Sequence, residues 1–163
     1  MKKFVTFANF MVLLGIMTIL FYLIPAVNIY ADSVYNTDVN LFTATFGGGF
    51  TIYDQAKSLI ACGGLITAFV LGIVAIILTA LKCKSKYATL LACPFYITSG
   101  VLVACTGQLV SGVNLNVSVA PQFNFNILGG AITVATFWCI LGFFALVDFI
   151  GVVAKPKQQP SAY

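Results

Sequence analysis

Three stretches of the chain carry no charged residue: 4–31, 58–81 and 87–147. Each is dense in Leu, Ile, Val, Phe and Ala. A helix needs about 20 apolar residues to cross about 30 Å of hydrocarbon, because it rises 1.5 Å per residue. The first two stretches are each of about that length, and the third is too long for one crossing. Its middle, Ser111–Asn126, is rich in Asn, Ser, Gly, Gln and Pro and reads as a polar connection between two helices. The pattern therefore predicts four spans, at about 4–27, 58–81, 87–110 and 128–153, within a single membrane domain covering residues 1–163. The outer loops are 28–57 and 111–127.

The outer loops change period. Val113, Leu115, Val117 and Val119 alternate with Asn114, Asn116 and Ser118; beyond Ala120–Pro121–Gln122, Phe123, Phe125 and Ile127 alternate with Asn124 and Asn126. Period two marks half-buried strands, so these two runs predict a hairpin. In the first loop, Val39–Phe46 reads as a strand and Phe50–Tyr53 as its return. Gly47–Gly48–Gly49 between them forms the turn, where positive φ has no steric cost. A lone hairpin is marginal in water. The two loops are therefore expected to combine into one small sheet, with Phe42, Phe46, Val117, Phe123 and Phe125 on a face that is buried or offered to a partner. The expected fold class is an all-α integral membrane protein: a four-helix transmembrane bundle, or tetraspan, with a small extracellular β-sheet or hairpin.

Composition agrees with a lipid environment. Hydrophobic residues make up 61% of the chain and charged residues 7%, where a soluble domain carries about a quarter charged residues. Charge then orients the spans. Lys2–Lys3, Lys82–Lys84–Lys86 and Lys155–Lys157 fall on one face of a four-span topology, and Lys57 with Asp32, Asp38 and Asp54 on the other. By the positive-inside rule both termini are cytoplasmic, in a plasma or other cell membrane. The basic balance is attraction to anionic lipid. Lysines flanking spans, with no Arg, exclude a nucleic-acid footprint. The uncharged run after Lys2–Lys3 is about twice a signal-peptide core, so it is read as a retained span.

Between helices in lipid, small residues decide where backbones touch. Gly64, Ala68 and Gly72 recur at four-residue intervals in the second span, and Gly100 and Ala104 in the third. These rows suit packing within the bundle or between copies. Pro94 is expected to kink the third span near Leu90–Leu91. Asp148 is the one ionisable group within the four spans, near the inner end of the fourth, and reads as structural.

Candidate chemistry is sparse. The chain has no His, Arg or Glu, and nothing in the sequence clusters its Asp, Lys, Tyr and Cys. No metal or cofactor set is expected, and no enzyme. The cysteines Cys62, Cys83, Cys93, Cys105 and Cys139 have no CxxC spacing and none falls in an outer loop, which excludes an external disulfide scaffold. Cys83, in Lys-Cys-Lys, reads as a free thiol or an acyl acceptor. Asn116-Val117-Ser118 makes Asn116 a candidate glycosylation position.

The order of short inner N-terminus, long β-rich outer loop, tight inner turn, shorter outer hairpin and short basic tail resembles the plan of the claudin-type tetraspan proteins. The family's first-loop Gly-Leu-Trp and paired Cys are absent, and the sole Trp is Trp138, so no functional residue carries over. Two roles remain. The first is structural assembly or protein–protein interaction, by self-association or as a small subunit of a membrane complex, with the bilayer and other membrane subunits as partners. The second is a channel or pore-forming subunit, holin-like or large-pore-like, whose best polar stripe is Thr98, Ser99, Thr106 and Gln108.

Overall fold

A computed structural model describes residues 2–30, 36–52, 55–81, 87–114 and 123–153. They are mostly helical, with two small antiparallel sheets at one end. Helix α1 covers Lys2–Leu20, and a 3₁₀ turn continues it to Leu23. The helix stops there because Pro25 disfavours helical geometry at the residue before it, and Ile24 is extended, at φ −79° and ψ 145°. The chain leaves as strand β1, Pro25–Tyr30, and returns as β2, Asn36–Asn40. Val27 is thus in a strand and not at the end of a span.

Helix α2, Leu41–Phe46, comes next. Its six residues were expected to be a strand on their β-branched and aromatic content, and the local chemistry overrules that preference. Asn40 caps the helix, its side chain accepting the Thr43 N–H at 2.7 Å. Thr45 returns its hydroxyl to the Leu41 carbonyl at 2.7 Å, and Leu41, Ala44 and Thr45 are buried. Of the three glycines that follow, only Gly47 takes positive φ, at 80°. It turns the chain into the hairpin of β3, Gly48–Ile52, and β4, Gln55–Leu59. The hairpin therefore begins at Gly48, with Gly48 and Gly49 paired to Leu59 and Ser58, and Ser58 belongs to it instead of opening a span.

Helices α3, Gly63–Ala80, and α4, Ala88–Ala104, follow. Pro94 stays inside α4, and the break in this region lies at Cys105. Helix α5, Thr106–Asn114, leaves α4 at 63°. One lost backbone hydrogen bond is tolerated where neighbouring helices hold the segment, whereas at Cys105 the amide bonds back to both Val101 and Leu102 and the Thr106 hydroxyl takes the Val103 carbonyl. Val113 and Asn114 are therefore helical, which corrects the first arm of the expected hairpin; the rest of that arm, with Val117, lies outside the described residues. The second arm is a strand, β5, Asn124–Ile127, and it pairs with β1. The sheet order is β2–β1–β5, from Tyr30↔Asn124 to Val27↔Ile127 along the β1–β5 ladder. Helix α6, Gly129–Val153, completes the described chain.

Helix α4 lies between α3 and α6, and α1 contacts both α3 and α6. Among the described residues two helices, Gly63–Ala80 and Gly129–Gly151, are long and apolar enough to cross a membrane, and the bent pair α4 and α5 makes a third if it is one span. Phe7–Leu23 is a shorter apolar helix.

The sheet is fastened to the helices at the start of α6, and Gly107 of α5 also packs against Ile127 of β5. The Leu128 N–H donates to the Ala26 carbonyl at 2.8 Å, and the α carbon of Gly130 faces the Pro25 carbonyl so closely that a side chain there would overlap it. Gly129, one residue earlier, has open space around it. Gly130→Ala is expected to lose about 1–3 kcal/mol, because the obstructing group is backbone. Gly129→Ala is expected to be neutral or to gain up to about 1 kcal/mol from helix propensity. Thermal unfolding of both variants in mild detergent checks the pair; equal losses would mean the fastening is misplaced.

Candidate functional site

Two places gather the residues expected to matter: the seam between the helices, and the end that carries the sheets. The seam is built around Trp138, which is fully buried on α6. Its indole fills the space opposite Gly72 of α3, where a β carbon would come within 2.7 Å of the ring. Tyr96 of α4 stacks on it, with ring centroids 5.7 Å apart and planes 23° apart. The Tyr96 hydroxyl is 3.0 Å from the Thr79 hydroxyl, which also bonds to the Ala75 carbonyl at 2.9 Å. Tyr22 lies beside the indole, but its hydroxyl and the indole N–H make no hydrogen bond of good geometry.

The small-residue rows line this seam. Gly64 is half-buried and faces Leu109 of α5. Ala68 is buried, and its carbonyl accepts the Ser99 hydroxyl at 2.7 Å. Gly100 approaches the Ala135 carbonyl and Cys139 of α6, at 3.0 Å and 2.7 Å from its would-be β carbon. Ala104 is exposed. Gly64, Ala68, Gly72 and Gly100 are thus occupied within one chain, and only Ala104 is open to a second copy.

The polar stripe considered for a pore is also largely used up. Ser99 and Thr106 give their hydroxyls to backbone carbonyls and are buried, while Thr98 and Gln108 are exposed. Thr18, Thr67 and Thr136 likewise bond to the carbonyl four residues back, at 2.8, 2.9 and 2.8 Å. Such bonds keep a hydroxyl satisfied where no water is present. Asp148 is buried toward the end of α6.

At the end that carries the sheets, the four aromatic candidates do not share one face. Phe42 and Phe46 are exposed on α2. Phe125 is half-buried on β5, and Phe123, just before it, stands edge-on to Phe50 at 6.4 Å. Val117, Asn116 and Cys83 lie outside the described residues. Phe123, Phe125 and Ile127 line an open cup of about 490 Å³ together with the polar Tyr30, Gln108, Ser111, Asn124 and Asn126. It offers neutral amides and hydroxyls, chemistry for hydrogen bonding and not for acid–base work. Among the described residues no three His, Cys, Asp or Glu side chains converge.

Reading the sequence missed Trp138, Tyr96 and Tyr22 as a centre. A signal was present: Trp in apolar helices favours the two membrane surfaces, and Trp138 lies ten residues into a 25-residue apolar helix. Comparison of the chain with protein-family models, curated proteins and solved structures returns no match.

The Gly72–Trp138 contact gives a test by paired substitution. Gly72→Ala is expected to cost about 1–3 kcal/mol, since the ring opposite is stacked and has little room to yield. In the Trp138→Phe background the same change should cost less by at least about 0.5 kcal/mol, because contacting residues are coupled. Thermal unfolding of the four proteins measures the coupling, and strict additivity would show that the two residues do not pack together.

Proposed function

We propose that this chain is a non-enzymatic tetraspan membrane protein that acts through assembly, associating with copies of itself or serving as a small subunit of a membrane complex. Helices α1, α3, α4 with the start of α5, and α6 are the four spans. Helix α1 with its 3₁₀ turn, Lys2–Leu23, rises roughly 33 Å, enough for about 30 Å of hydrocarbon. Helix α4 alone, with 17 residues, rises only about 25 Å, so its crossing is completed through the bend into α5. The lysine patches put both termini on the cytoplasmic side and the sheets outside.

The observation that carries the reading is the filled centre. Trp138, Tyr96 and Tyr22 occupy the space where the helices meet, and the hydroxyls of Thr79, Ser99 and Thr106 turn to groups of the protein itself. A conducting path needs a polar lining open to water, and the described residues of a single chain packed in this way offer none. What remains for function is the exterior, where apolar side chains such as Phe10, Leu13, Phe143 and Ile150 stay uncovered.

Two measurements test the proposal. Cysteines placed at Asn36 and Ser161 in a Cys-free background should label from opposite sides of the membrane, Asn36→Cys in intact cells and Ser161→Cys only after permeabilisation. Native mass analysis in mild detergent should give a species heavier than one chain. A monomer that releases solute from liposomes would overturn the assembly reading in favour of a pore.

A further inference from the structure

Helix α2 carries an aromatic pair that the chain does not cover. Phe42 and Phe46 lie one turn apart, with ring centroids separated by 4.7 Å, and are 46% and 39% exposed. The opposite side of the helix is the buried one. Two adjacent phenyl rings left in water forgo the free energy of burial.

Their height along α3 identifies what meets them. The Phe46 ring stands edge-on against Phe69 at 5.3 Å. Phe69 lies six residues beyond the first residue of α3, a descent of about 9 Å. The α2 backbone is held level with the top of α3, because the Cys62 N–H donates to the Thr45 carbonyl at 2.9 Å. The Phe46 ring, with Phe42 against it, therefore lies beside the second turn of α3, the more apolar of the two described helices long enough to cross a membrane. Val70, the residue after Phe69, is exposed on that helix. Neither α2 nor α3 bears a charge that would match a polar protein partner. The backbone is shaped for such a dip: the Asn40 side chain caps its entry and Gly47, at φ 80°, turns it back toward β3.

We propose that α2 is an interfacial helix that inserts Phe42 and Phe46 into the outer leaflet, where lipid acyl chains cover them. The proposal rests on the tetraspan reading above. A short helix buried by its apolar face at the headgroup boundary is a known mode of membrane contact. Here it would fix the outer sheets against the bilayer surface.

Phe42→Trp, Phe46→Trp and Val70→Trp, made singly and reconstituted in phosphatidylcholine vesicles, test this with lipids brominated on the acyl chains. The signal of Trp138, buried in every variant, is subtracted using the wild-type protein. All three new indoles should be quenched, those at 42 and 46 several-fold more by bromine near the headgroup end than by bromine near the chain end. Quenching at Val70 with none at 42 and 46 would overturn the proposal while leaving the membrane reading intact: blue-shifted emission would then mean that a second copy covers the pair, and red-shifted emission that water does. No quenching at Val70 would remove the membrane reading itself.

Discussion

An indole seated against a glycine holds the helices in place. Trp138 is the largest fully buried side chain, and it fits only because Gly72 presents backbone where any other residue would present a β carbon. In lipid, helices gain little from hiding apolar surface from one another, so close packing and hydrogen bonding must supply the attraction. The seam does both. Tyr96 stacks on the indole while its hydroxyl meets Thr79, and Ser99 reaches across from α4 to the Ala68 carbonyl of α3. Gly72 in α3 is thus a consequence of where the indole sits, and Gly100 in α4 of the close approach of α6 at Ala135 and Cys139.

The end that carries the sheets depends on the same economy of space. Gly130 lets the first turn of α6 press against the Pro25 carbonyl, so that β5, immediately before it, arrives in register with β1. Pro25 has two effects: it ends α1 and supplies the surface on which α6 rests. Asn40 and Gly47 do comparable work around α2, one as a cap and the other through its positive φ.

The apolar helices were legible because 20-residue uncharged runs have few other readings. The strand at Asn124–Ile127 was legible from its alternation. What the sequence concealed were choices made by single local groups. Leu41–Phe46 has the composition of a strand, yet one cap bond and one buried face make it helical. Val113 and Asn114 open an alternating run that extends to Val119, yet the helix that starts at Thr106 continues through both of them. The small-residue rows were visible as rows without their partners; only the fold shows that Gly72 faces Trp138 and Gly100 faces Cys139. Pro94 lies inside α4 without ending it, and the bend that separates α4 from α5 falls at Cys105, where the sequence shows no proline.

Chain order gives the Trp138 seam a meaning for biogenesis. Synthesis delivers elements from the N-terminus onward, and both closing pieces come late: β5 begins at Asn124 and Trp138 lies further on. Before they emerge, β1 has a strand on one side only, and the notch at Gly72 has nothing to fill it. The nascent protein up to α5 is therefore an arrangement of helices held ajar. One continuous segment, from Asn124 through Trp138, acts as a keystone that completes the sheet and locks the helices in the same step.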